Sequence, residues 1–110
     1  MDYLVRIFKS VANETRIRLL ESLLAGKEQT LDTLAAELKL PYKTVSRNLK
    51  ILEKAMLVKM RTWRGKVYYS TETSSRLIYG KEVLGMIKRR QLRKTKQVKP
   101  ISRFRAKPRN

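Results

Sequence analysis

The sequence predicts a mainly α domain with one small β-hairpin, an α+β fold. Three observations lead there. Apolar residues recur at helical spacing in four successive segments up to about Lys54. The pattern then loosens to alternation around "WRGK". Helical spacing returns with Leu77, Val83, Leu84 and Ile87. The 110 residues, 42% of them apolar, suit one compact domain with a modest core and a tail. The expected division is a folded domain over residues 1–92 and a basic, disordered tail over 93–110.

The first helix is expected from about Asp2 to Ser10, with Leu4, Phe8 and Val11 on one face and Tyr3 and Ile7 beside them. The second opens after Asn13, a good N-cap, with Glu14 suiting the helix dipole. It carries Ile17, Leu20, Leu23 and Leu24 and stops near Gly26. "TLDTLAAELKL" gives a third, shorter helix, capped by Thr30 or Asp32, with Leu31, Leu34, Ala35 and Leu38 inward. Pro41 stands where a fourth helix begins, a position that tolerates a missing N–H, and that helix runs to about Lys54. Strands are expected at Leu57–Thr62 and Lys66–Thr71, with Gly65 serving the turn. A fifth helix starts behind Thr73 or Ser74. Gly80 and Gly85 within it mark either a close helix approach or a weak helix, each costing about 1 kcal/mol relative to alanine.

Composition removes several kinds of chemistry. Without cysteine there is no disulfide, thiolate metal site or thiol redox centre. Without histidine there is no imidazole ligand and no usual general base near neutral pH. No nucleophile–base pair, paired-carboxylate motif or glycine-rich phosphate loop stands out, so neither a catalytic site nor a cofactor is expected. No apolar run approaches the roughly 18 residues of a membrane span, and the N-terminus does not read as a secretory signal. A soluble, cytoplasmic, nucleoid-associated protein is expected.

Charge is the stronger signal. Lys and Arg number 27 against nine Asp and Glu, a net charge of +18. Eleven basic residues lie between Lys88 and the C-terminus, so 16 remain against nine acids before it. A polyanion is the implied partner. On the fourth helix, Val45, Leu49 and Leu52 fall within a sector of about 60°. Lys43, Ser46, Arg47, Lys50 and Lys54 gather within about 100° on the far side. Such a face on an isolated helix is ordinarily just solvated. Here a helix and a short turn precede it, the arrangement of a helix-turn-helix pair. Lys39–Lys66 holds nine basic residues and one acid. The hairpin tip adds Arg61, Arg64 and Lys66 beside Trp63. Helix and hairpin carrying the same charge fits release of counterions from phosphate, and so double-stranded DNA.

Three segments, "IFKSVANETRIRLLESLL", "LDTLAAELKLPYKTVSRNLKILEKAMLV" and "RGKVYYS", stand in the order and spacing of the ArsR family of winged helix-turn-helix regulators, which the chain resembles over about Leu4–Thr71. The resemblance implies a winged helix-turn-helix that dimerises through its first and last helices, with Leu4, Phe8, Leu77, Leu84 and Ile87 in the interface. It implies that Tyr42, Lys43, Thr44, Ser46 and Arg47 meet the major groove and that Lys50 meets phosphate. It implies a wing of Arg61, Trp63, Arg64 and Lys66 laid on the backbone or minor groove, and a homodimeric, sequence-specific repressor. Members that sense metals use cysteine, histidine or acidic ligands. This chain has Leu31 and Thr33 where thiols would stand, so no metal sensing is expected. The family's glycine after the recognition helix is Met56 here, a steric cost if that position is left-handed.

Other features keep two readings. Trp63 either stacks on nucleic acid or covers the hairpin. Tyr68 and Tyr69 point to opposite strand faces, at least one inward. Arg16 and Arg18 are expected to be solvated or paired with nearby acids. The tail is a DNA arm, an RNA-binding segment or a membrane-surface patch, with DNA favoured. A weakly specific, chromatin-like nucleic-acid coater is the competing function.

Overall fold

The computed structural model describes residues 2–73 and 78–106, with the side chains of the last helix from Tyr79 to Lys94. The chain runs α1 (Tyr3–Val11), α2 (Glu14–Gly26), β1 (Gln29–Thr30), α3 (Leu31–Leu38), α4 (Tyr42–Lys54), β2 (Val58–Trp63), β3 (Lys66–Thr71) and α5 (Ile78–Ala106). Helix α2 is the hub and packs against α1, α3, α4 and α5. Its Leu19, Leu20 and Leu23 meet Leu34, Val45, Leu49 and Leu52 in a core from which water is excluded. Each such side chain contributes about 1.5–3 kcal/mol through burial.

Local signals explain most boundaries. Asp2 caps α1 by accepting from Leu4 N–H at 2.7 Å, and Asn13 caps α2 by accepting from Arg16 N–H at 3.1 Å. Of the two candidates for α3, Thr30 is the cap, accepting from Thr33 N–H at 3.1 Å. Gly26 is the last residue of α2 rather than the residue beyond it, and Lys27 takes the positive φ of 62°. A side chain at 26 would displace the amide of Gln29. A Cβ there would lie 2.8 Å from Gln29 Nε2, which donates to Ser22 O at 2.8 Å.

The turn between α3 and α4 is built by Lys39 at φ 56°. Lys39 N–H donates to Ala36 O at 3.3 Å and Leu40 N–H to Ala35 O at 3.1 Å, closing the last carbonyls of α3. Helix α4 ends the same way. Met56 N–H donates to Glu53 O at 2.9 Å and Leu57 N–H to Leu52 O at 3.0 Å, with Met56 at φ 61°. The position where the family carries glycine is thus left-handed, and methionine occupies it. Pro41 is the N-cap of α4, one residue earlier than the first-turn position expected of it.

The sheet is antiparallel and three-stranded, in the order β1-β3-β2. Strand β1 was not expected from the sequence, because two residues cannot show alternation. It pairs Gln29 with Tyr69 and Thr30 with Tyr68. The hairpin closes at Trp63–Lys66, with Arg64 at φ 51° and Gly65 at φ 77°. Two positive φ values match the strand twist in a two-residue turn. A Cβ at Gly65 would meet open space, so its backbone angle is what the turn requires.

Two expectations about the C-terminal helix need correction. The helix does not give way to disorder at Arg93: it continues to Ala106, through Pro100. From Met86 to Ala106 there is no glycine and the stretch is rich in Lys, Arg and Gln, which are good helix formers and offset the single proline. Leu84 and Ile87, expected between two subunits, are buried in the chain's own core, 6% and 7% exposed. The candidate cap Ser74 and the expected interface residue Leu77 lie outside the described residues. Gly85 does not mark a tight approach, since a Cβ there would meet only Arg89 Nη1 at 3.5 Å.

Candidate nucleic-acid interface

Helix α4 anchors itself through Val45, Leu49 and Leu52, all fully buried. That anchor turns Tyr42, Lys43, Arg47, Lys50 and Lys54 to solvent, while Thr44 and Ser46 are half-buried. Tyr42 is 55% exposed at the N-terminus of the helix. No side chain caps this end, because its N-cap is Pro41. The first N–H groups of α4 therefore remain free of a side-chain acceptor, and a helix N-terminus favours negative charge.

The wing differs in detail from its sequence reading. Arg61 is not a free cation. Its Nε and Nη2 donate to the Glu28 carboxylate at 2.6 and 2.8 Å, and its guanidinium lies 4.9 Å from the centre of the Tyr68 ring. The Arg61 hydrogen bond holds the Glu28 carboxyl below the usual carboxylate value, and the same bond raises the guanidinium further. Arg61 is thus spent on fixing β2 to the segment before α3. At the tip, Arg64 stacks over Trp63 at 4.4 Å, and Trp63 is 50% exposed. Trp63 forms a platform under a cation, and Lys66 stands opposite it across the strands. Tyr69 is the inward tyrosine; burial, then the nearby Glu53 and Tyr42, raise its hydroxyl's pKa.

The groups that hold α4 in place were not apparent from the sequence. Arg16 is half-buried and pairs with no acid among the described residues. Its Nε donates to Ser10 O at 2.6 Å and its Nη1 to Asn48 Oδ1 at 2.8 Å. Asn48 Nδ2 in turn donates to Thr44 O at 2.8 Å. Arg16 thereby ties the C-terminal end of α1 to the flank of α4. Arg18 likewise donates to a backbone carbonyl, Leu38 O, at 3.2 Å. A mid-helix asparagine at the border of an apolar stripe was the available signal for this tie.

Among the described residues no group of three potential metal ligands comes together, and no helix is long and apolar enough to cross a membrane. Residues 11–61 match the helix-turn-helix domain family. No curated protein matches the chain. Solved structures do. HlyU from Vibrio cholerae is 28% identical, with a TM-score of 0.67 over 79% of this chain and 89% of that one. The transcriptional regulator HlyU from Vibrio vulnificus is also 28% identical, with a TM-score of 0.62 over 76% and 81% of the two chains. A homodimeric winged helix-turn-helix DNA-binding domain from Mycobacterium bovis, described as a possible ArsR-family regulator, is 23% identical. Its TM-score is 0.68 over 88% of this chain and 82% of its own.

Proposed function

We propose that this winged helix-turn-helix transcriptional regulator is a homodimeric, sequence-specific DNA-binding repressor that works on the nucleoid without metal control. The observation that carries the reading is the continuous basic face of α4, bordered by an N-terminus that no side chain caps. In this reading Tyr42, Lys43, Thr44, Ser46 and Arg47 enter the major groove, and Lys50 contacts phosphate. Arg64 on its Trp63 platform, together with Lys66, takes the wing's phosphate or minor-groove contact. Arg61 acts by fixing the wing rather than by touching DNA.

The dimer face comprises the exposed apolar residues Val5 and Phe8 of α1 with Tyr79, Met86 and Leu92 of α5. Tyr79 lies against Tyr3 of α1, ring centres 6.2 Å apart, so the two helices form one surface. Leu4 borders it, half-buried. Two such subunits present their reading helices to half-sites about one helical turn apart.

Selection of bound fragments from random duplex DNA tests the proposal. An inverted repeat is the expected result. Arg47→Ala should then weaken the selected site by about 1–3 kcal/mol more than random DNA. Equal loss on both removes base reading from Arg47. One feature favours the second reading, a weakly specific nucleic-acid coater: the +18 charge, concentrated in the C-terminal stretch. A preference for the best site below about tenfold over random DNA would select that reading. Displacement by RNA competitor would assign the tail to RNA.

A further inference from the structure

Apart from the reading face and the wing, one concave site gathers charge without a counter-charge. It is an open cleft of about 510 Å³ between α1, the start of α2 and the end of α4, lined by Arg6, Lys9, Ser10, Arg16, Ile51 and Lys54. Four of these six are cations and none is an acid. The volume falls within the roughly 300–1,000 Å³ typical of small-molecule sites.

Arg16 makes this more than a solvated charge cluster. It lines the cleft half-buried and makes no ion pair among the described residues. Three of its N–H groups face Ser10 O, Asn48 Oδ1 and, at 3.5 Å, Lys9 O. A guanidinium carries five, so two remain for an acceptor. Arg6, Lys9 and Lys54 stand exposed around it. Ile51, 37% exposed, supplies an apolar wall.

We propose that this cleft binds a small organic anion, a phosphate monoester or carboxylate whose charged end meets Arg16 and the rim lysines and whose apolar portion lies on Ile51. A DNA strand fits less well. Phosphodiester contacts are made by protruding cations alone, whereas here a half-buried guanidinium, Arg16, stands beside the apolar side chain of Ile51. The site lies on the flank of α1 away from Phe8, so the proposed dimer leaves it open. Its occupant would also reach the reading helix. Arg16 is bonded to Asn48, and Asn48 to Thr44 O, so an anion drawing on Arg16's donors changes how α4 is held.

The test is a backbone-amide NMR titration of the full chain at physiological salt with phenyl phosphate, inorganic phosphate and benzyl alcohol. Phenyl phosphate should saturate, with shifts centred on Ser10, Arg16, Asn48 and Ile51. Inorganic phosphate should bind several-fold more weakly, and benzyl alcohol should produce no saturable shift. The triple variant Arg6→Gln, Lys9→Gln, Lys54→Gln, which leaves Arg16 and the core in place, should weaken phenyl phosphate by about tenfold or more. Lys27→Gln, Lys59→Gln, Lys81→Gln removes as much charge and should leave binding unchanged. Equal loss in the two triple variants, or shifts spread along the whole basic surface, overturns the site. So does a cleft variant that shows no phenyl phosphate effect but a salt slope for DNA binding lowered by about three, which would make the cleft a phosphate contact for DNA. Anion binding is read without DNA, so this result stands apart from the test of DNA recognition.

Discussion

At the scale of single residues, backbone angle and hydrogen bonding decide what side-chain type alone leaves open. Met56 shows this most directly. It is 50% exposed, at φ 61°, and its N–H and that of Leu57 close the last turn of α4. A left-handed non-glycine residue costs about 1–2 kcal/mol, partly offset by glycine's greater freedom in the unfolded chain. Met56→Gly is therefore expected to stabilise the protein by about 0.5–1 kcal/mol, seen as a rise of a few degrees in Tm. An unchanged or lower Tm would show that the methionine side chain contributes packing that its exposure does not reveal. The steric cost at this position was legible in the sequence, because glycine is the family's residue there. The partners of Arg16 and Arg61 were not. Both looked like free cations, since nothing in linear order brings Arg16 beside Asn48 or Arg61 beside Glu28.

Among the secondary-structure elements, the wing was legible as a hairpin because alternation and a glycine turn mark it. Its attachment was not, because β1 is too short to carry a pattern. The Arg61–Glu28 pair strengthens that attachment, and its pH dependence has a definite sign. Glu28's pKa is lowered from 4.5 in the folded chain, so the pair's contribution is complete above that value and is lost as pH falls through the depressed one. Both groups are exposed, so the effect belongs to the local order of the wing rather than to global stability. In Glu28→Gln, amides of β2 should be less protected from exchange at neutral pH, and their protection factors, taken relative to intrinsic exchange, should no longer fall on acidification below about pH 4.5. The freed Arg61 should also steepen the salt dependence of DNA binding by about one. An unchanged slope would mean that Arg61 finds another partner. The α5 helix shows the opposite limit: basic composition suggested disorder, yet the same Lys, Arg and Gln residues are compatible with a helix carried to Ala106.

For the whole molecule, charge and the exposed apolar face act together. Phe8→Asp combined with Met86→Asp replaces two residues that are 53% and 52% exposed, so each chain should fold unchanged. Sedimentation velocity should then report a monomer, and binding to an inverted repeat should fall towards that of a single half-site. A persisting dimer would assign the interface elsewhere. Removing residues 95–110 should lower affinity for all DNA and reduce its salt dependence while preserving site preference. With about 6–10 phosphates neutralised, the intact protein should lose about 10³–10⁵ in affinity between 50 and 200 mM salt. A more general consequence follows from Thr30. One residue pairs with Tyr68 in the sheet and also caps α3, whose turn at Lys39 delivers α4. The hairpin and α4 are consequently two arms of one gauge with a shared pivot. Exchanging the exposed residues of α4 should retune which bases are preferred while leaving the length of DNA protected from cleavage the same.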